Sequence, residues 1–338
     1  MSFAVNETAT ERIKNVNANE KEAIVRAISI ILHTYGYIVI GIFLTSINIP
    51  VFLLVITRKA LRSPYLVLAI VFLNNGLTGI CAILTGIKRI IDTANGEKLI
   101  DHYKCVLNVH TFLLTLFFLN GWSLLMHSLE RLCVVAFPIY YYKKSARISY
   151  SLIAAQYIIA IIEITSTVIA SLIESPRRIS NFCTLQSSYS PLFFKTLINL
   201  TSLTSMLSII VMVIVVAILR RKFGRQFLTR HSHNRDLSTF LDNQKRYTHT
   251  SLISCCFTFF FVVAPSALEY IYVMDSSVLS RIIIMCCAYL WILNSFNMVV
   301  LFLYRQGDSQ RAAIRCFKYL LCERKHTVQP MVVFGIGK

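Results

Sequence analysis

Glu130 and Arg131 stand side by side at the end of an apolar run that opens at Cys105 and carries no formal charge before Glu130. An acid and a guanidinium adjoining at a desolvated edge can pair with each other or part to meet something else. They form a two-state element rather than a catalytic one. As one helix, the 26 steps from Cys105 to Arg131 would rise about 39 Å, close to a bilayer with its interfaces. Chemistry of other kinds is not encoded. The ten cysteines include no two Cys-x-x-Cys pairs. Cys255-Cys256 and Cys286-Cys287 are adjacent pairs inside apolar runs, small core residues rather than ligands. His33, His127 and His249 lack ligand spacing, and neither Gly-x-Ser-x-Gly, His-Glu-x-x-His nor paired catalytic aspartates occur. No metal, no cofactor and no enzymatic activity are expected.

A membrane must position that pair. The chain has 338 residues, 56% hydrophobic and only 15% charged, with mean hydropathy +0.62. A soluble domain of this length could not hide so much apolar surface. Seven apolar runs, near 34–57, 65–87, 105–129, 148–173, 191–219, 249–273 and 282–304, are each long enough to cross a bilayer as a helix. The expected fold is an all-α membrane protein, a seven-transmembrane helix bundle. With the amino terminus outside, the inner segments hold 22 of the 34 lysines and arginines and the outer segments 12, which favours that orientation. The net charge of +18 then follows the inner loops, as topogenic charge attracted to anionic lipid, with no nucleic acid required.

Residues 1–33 become an extracellular tail without the features of a cleaved signal peptide, with Asn6 in a glycosylation sequon, Asn6-Glu7-Thr8. Residues 34–304 form the bundle and 305–338 lie inside. There Arg311, Arg315 and Lys318 interleave with Ile314, Phe317 and Leu320, the pattern of a short interfacial helix. Cys316 and Cys322 beside it are acylation candidates or plain thiols.

Polar residues within the spans carry the next expectations. Asn48, Asn74 and Asn75 predict an interhelical polar core, with a buried ion or water site as the alternative at Asn74-Asn75-Gly76. Glu163, near the middle of the fourth span, is either a structural carboxyl or a ligand contact. Pro265 deletes a backbone bond in the sixth span and predicts a hinge. Glu269, one turn outward from it, with Tyr270, Trp291 and, on the upper third helix, His110, makes a candidate ligand floor; the plain reading of Glu269 is an interfacial acid facing water. Among outer segments Cys105 and Cys183 are the only cysteines. Alone in an oxidising compartment, they predict a disulfide from the third helix to the loop at 174–190, against two free thiols. The basic loop 220–248 is either a face for a cytosolic partner or a solvated topogenic loop.

Glu130-Arg131-Leu132 followed by Pro138, seven residues after the arginine, resembles the Asp/Glu-Arg-Tyr…Pro signature of rhodopsin-like G-protein-coupled receptors. The first span agrees: Asn48, Val51 and Leu61-Arg62-Ser63-Pro64 match that family's Asn-x-x-Val and Leu-Arg-x-Pro at the same spacing. The resemblance extends over residues 34–322. Departures are visible. Val262-Val263-Ala264-Pro265 keeps the sixth-span proline without its tryptophan, and Asn297-Met298 with Tyr304 is a degraded Asn-Pro-x-x-Tyr. Asn74-Asn75-Gly76 replaces the second-span acid, and Lys245 stands where many members place an acid facing the switch arginine. In these erosions the chain is similar to nematode chemosensory receptors.

The resemblance implies a plasma-membrane receptor that binds a small ligand or peptide from outside and activates a heterotrimeric G protein inside. It also implies that the inner end of the sixth span swings about Pro265 and frees Arg131 from Glu130. Among other seven-helix classes, a retinal protein needs a lysine in the seventh span, and 282–304 has none. A transporter remains the alternative; it should show intramembrane charge chains or repeats, for which only Glu163 and Glu269 qualify.

Overall fold

The computed structural model describes residues 27, 28, 30–94, 96, 98–222, 252–272 and 278–305. Asn6, Lys245 and most of the basic loop, the segment after Arg305, Cys316 and Cys322 lie outside the described residues. Seven helices are long and apolar enough to cross a membrane: Thr34–Thr57, Tyr65–Thr93, Val109–Ala136, Lys143–Ile173, Pro191–Arg221, Leu252–Tyr272 and Ile282–Tyr304. They form the expected seven-helix bundle. Much of their apolar surface faces outward, with Phe43, Ile91, Phe112, Ile161 and Leu203 all more than half exposed, as lipid-facing side chains should be.

The first and second spans pair most closely, and glycines allow it. A Cβ on Gly41 would come within 2.6 Å of the Gly79 carbonyl oxygen, and one on Gly79 within 2.7 Å of that of Gly41. After the extended Arg58 the connection is itself helical from Lys59, continuous with the second span except at Tyr65, whose φ of −126° and ψ of 20° mark a kink. Pro138 likewise opens a short helix before the fourth span, broken at Lys144. Proline suits a first helical position because its missing N–H would have had no acceptor there.

One sequence expectation needs correction. Cys105 and Arg131 do not share an unbroken helix. His102–Val106 is a separate short helix, and the long one starts at Val109. Asn108 makes the break: its backbone is extended and its side-chain Oδ1 accepts the Val109 N–H at 2.7 Å, a capping bond that competes with helix continuation. In the sixth span a π-turn, Phe259–Val263, precedes Pro265. The proline ring opposes the carbonyl four residues back, at Phe261, so the wide turn sits where the bond ladder is interrupted.

One end of the bundle is roofed by the two connecting segments. Strand β1, Leu99–Asp101, pairs antiparallel with β2, Arg178–Ser180, and Ile100 faces Ile179 in the register. Cys105 and Cys183 form a disulfide with Cα atoms 5.5 Å apart, both buried. The buried His102 ring accepts the Arg177 N–H at Nδ1 and donates from Nε2 to the Ser171 carbonyl at 2.8 Å. It thereby ties the end of the fourth span to β2. Tyr189 is buried beneath, its hydroxyl 2.8 Å from that of Thr111, and burial pushes its phenol up to about 12.

Cross-linking across 78 residues restricts the unfolded chain, and loss of such a bridge costs about 2–5 kcal/mol. Cys105→Ser and Cys183→Ser are therefore each expected to lower the melting temperature of the purified chain. Dithiothreitol should reproduce the loss in the parent and add nothing to either variant. A parent indifferent to reduction would contradict the tether.

Candidate functional site

The end of the third span opposite the roof buries an ion pair. Arg131 Nη2 donates to Glu130 Oε2 at 3.1 Å, with side-chain exposures of 1% and 0%. Charges so deeply buried persist only where their remaining lone pairs are met. Glu130 Oε1 accepts two hydroxyls, from Tyr141 at 3.0 Å and Ser149 at 2.9 Å. Those two residues straddle the kink at Lys144, so the turn opened by Pro138 carries Tyr141 back onto the acid. Burial, reinforced by Glu130, pushes the Tyr141 phenol up to about 12. Tyr141 is thus a permanent donor at neutral pH. The carboxylate is held by three donors on two helices.

One turn nearer the middle, His127 and Ser128 line a small cavity of about 10 Å³ with Ser208, Ser254, Cys255, Thr258 and Met298. Ser128 and Ser208 hydroxyls meet at 2.8 Å across the third and fifth spans. Asn297 donates to the Ser254 carbonyl at 2.8 Å, and Thr258 to Asn294 at 3.1 Å, joining the sixth and seventh.

Mid-bundle, Asn74 donates to Ser123 Oγ at 2.8 Å and accepts the Tyr157 hydroxyl at 2.8 Å, so one amide links the second, third and fourth spans. Asn75 donates to the Ser295 carbonyl at 3.0 Å and Asn120 to the Ser295 hydroxyl at 3.2 Å, adding the seventh. Asn48 does not join them. Although fully buried, it donates to its own helix, at the Leu44 carbonyl. An asparagine side chain readily bonds local backbone instead of a neighbouring helix. The interhelical core is therefore Asn74, Asn75, Ser123, Tyr157, Asn120 and Ser295, with Asn48 bonded locally.

Towards the roof lies a second small cavity of about 10 Å³, room for about one water, lined by Phe117, Asn120, Gly121, Leu124, Thr201, Ser205, Val262, Trp291 and Asn294. Trp291 stands edge-on to Phe117, with ring centres 6.1 Å apart. Trp291 Nε1, Ser205 Oγ and Asn120 Oδ1 are buried without hydrogen-bond partners, so the cavity offers a donor, a hydroxyl and an acceptor. Glu269 is buried at 7% exposure on the sixth span but lines neither cavity. His110 is buried under the roof with both ring nitrogens unpartnered. Glu163 is half-exposed on the fourth span and lines neither cavity. Tyr270 does not belong to the floor: it is 53% exposed, because the residue after an inward-facing Glu269 is turned about 100° around the helix.

Arg89 is the residue that sequence reasoning missed. Counted there among loop charges, it is 2% exposed in the last turns of the second span. Its Nε donates to the Phe182 carbonyl at 3.2 Å and Nη2 to that of Cys183 at 3.4 Å, with the guanidinium over the Tyr37 and Phe182 rings at 5.1 and 4.6 Å. It fastens the roof to the first two spans. A signal existed: Thr78, Ala82, Thr85 and Arg89 recur at four, three and four residues along the buried face.

No protein-family model matches the chain, and no curated protein matches it significantly. The functional reading therefore rests on the residues and their geometry.

Proposed function

We propose that the chain is a G-protein-coupled receptor of the plasma membrane. Its roofed end faces outside, its Glu130–Arg131 end faces the cytosol, and its ligand is a small molecule or peptide. The observation that carries this reading is the fully buried Glu130–Arg131 pair at one end of a bundle whose other end bears the disulfide-tethered roof. Between them lie the Trp291 cavity and the π-turn before Pro265. A ligand that fits the cavity better in one arrangement of the bundle shifts the population towards it. Movement of the sixth span about Pro265 then opens the opposite end, where Arg131 leaves Glu130 and meets the G protein. Arg131 is the positioned cation, Glu130 its lock, and Tyr141 and Ser149 the donors that hold the lock in place.

Arg131→Ala is expected to abolish the second-messenger response of cells expressing the chain while ligand binding to their membranes persists. An undiminished response would refute the assignment. Ligand uptake without any such response would favour the transporter reading instead.

A further inference from the structure

The ring of His102 stands in the place of a ladder bond. Strand pairing ends at Asp101 opposite Arg178, so His102 and Arg177 are the next pair in the antiparallel register. The His102 N–H donates to the Arg177 carbonyl at 3.0 Å, as a paired strand residue would. The return bond is different: the Arg177 N–H donates at 3.3 Å to His102 Nδ1 rather than to a backbone carbonyl. The other ring nitrogen, Nε2, donates to the Ser171 carbonyl at the end of the fourth span. These two partners fix the state of a ring that is 1% exposed. A neutral imidazole has one donor nitrogen and one acceptor. The carbonyl takes the donor, and the backbone N–H requires the acceptor. An imidazolium has two donors and would set one N–H against another.

Arg177 is what that bond holds. Its guanidinium donates to the Tyr189 carbonyl and pairs with Glu174 at 3.6 Å, and the Tyr189 hydroxyl meets Thr111 of the third span. One residue thus gathers β2, the end of the fourth span and the segment before the fifth. The titratable and charged groups of the elements around His102 are Asp101, Tyr103 and Lys104 on its own segment, Glu174 and Arg177 after the fourth span, Arg178 on β2, and His110 at the start of the third span. The short helix Leu185–Ser188 brings none. Asp101 accepts the Tyr103 hydroxyl at 2.9 Å and Glu174 pairs with Arg177. Among the described residues no carboxylate bonds the His102 ring.

We infer that His102 is an acid-sensitive clasp on the roof. A proton bound at Nδ1 breaks the Arg177 bond, frees the start of β2 and, through Arg177, loosens the hold on the segment before the fifth span. Histidine is the side chain whose charge changes between about pH 5 and 8. Its protonation here removes a contact that only the closed clasp makes, so acid favours the open one. The disulfide at Cys105, three residues along from His102, keeps the roof attached. The change is therefore a local loosening and not a loss of the fold. The clasp stands on the geometry of the roof alone; that the acidity it senses is extracellular rests on the receptor reading above.

The test is hydrogen–deuterium exchange of the full chain purified in detergent, corrected for the intrinsic effect of pH. From about pH 7.5 to about 5.5, exchange in segments 99–106 and 174–183 should quicken about five- to a hundred-fold, as when a buried donor is left unpaired. Exchange around Glu130 should not change. His102→Gln offers an acceptor and a donor without titrating, and should lose the pH dependence; His110→Leu should keep it. Labelling the histidines with 15N, assigned through the His102 backbone, gives a reading that needs no variant to fold. His102 Nδ1 should be a bare nitrogen at the higher pH and an N–H at the lower. The inference is overturned if protection of the two segments is the same at both pH values, or if His102→Gln responds like the parent. It is equally overturned if His110→Leu abolishes the response, or if the state of Nδ1 does not change. The Arg131→Ala response separates this from the receptor reading. A roof loosened by acid in a chain that never signals keeps the clasp and removes the receptor. Signalling through Arg131 under a roof indifferent to pH does the reverse.

Discussion

Glu130→Ala is expected to destabilise the chain by about 3–5 kcal/mol, because it leaves the buried Arg131 guanidinium without its carboxylate. The same change strips Tyr141 and Ser149 of their common acceptor. The ion pair is deep enough, at 0% and 1% exposure, that water cannot replace the missing acid without the helices opening. Glu130→Gln separates the two roles of the residue. Its amide oxygen can still accept from Tyr141 and Ser149, but it no longer holds Arg131 by charge. It should therefore fold, melt closer to the parent than alanine does, and show raised signalling without ligand if Arg131 is the switch. Tyr141→Phe removes one of the two hydroxyl donors and should cost about 1 kcal/mol, with a smaller rise in basal activity. Thermal unfolding in detergent and ligand-free second-messenger levels measure the two effects independently. Alanine and glutamine variants that both melt with the parent would show that the pair does not hold this end closed.

Gly79→Leu should be more damaging still to the amount of folded protein. A Cβ there would lie 2.6 Å from Thr45 Oγ1, 2.7 Å from the Gly41 carbonyl oxygen and 2.8 Å from Leu44 Cβ. The second of these is backbone, so no rotamer change relieves it. The first and second spans would have to separate, unpacking Leu44 and Ala82, which are wholly buried. Overpacking that a side chain can absorb costs about 1–3 kcal/mol; displacing a helix backbone should exceed that range. The expected result is little monodisperse protein on size exclusion and little at the cell surface. Gly79→Ala, with the smallest possible Cβ, should show an intermediate loss. Gly96 supplies the contrast: it has a φ of +85°, but a Cβ placed on it would meet nothing within 4 Å. Alanine there should meet backbone strain alone and leave the bundle assembled. Normal yield from Gly79→Leu would mean that the two spans are not in glycine-mediated contact.

The location of the acid-base pair, the number of spans and the two cysteines of the tether were legible in the sequence for one physical reason. The cost of placing a residue in an apolar slab is set mostly by that residue, so a running count of apolar and charged positions identifies the helices that can cross. Cys105 and Cys183 could be paired because that count placed them both in outer segments. Partners of polar groups were not legible in the same way. Asn48, Asn74 and Asn75 looked alike along the chain, yet Asn74 and Asn75 reach other helices and Asn48 reaches its own carbonyl at Leu44.

Rotation and approach of whole helices decided the rest. Glu269 faces inward and Tyr270 outward although they are neighbours. Arg89, by sequence one charge among several near a loop, is drawn inside because the Phe182–Cys183 turn brings two carbonyls to meet it. Glu130 was visible as the companion of Arg131, but Tyr141 and Ser149 reach it only because the chain bends at Lys144. The third span, which read as one rod from Cys105 to Arg131, is interrupted where Asn108 caps a new helix. Sequence determined which segments enter the membrane, since that energy is local and nearly additive. Tertiary structure alone decided which side chains meet there, since a buried hydrogen bond depends on two helices arriving in register.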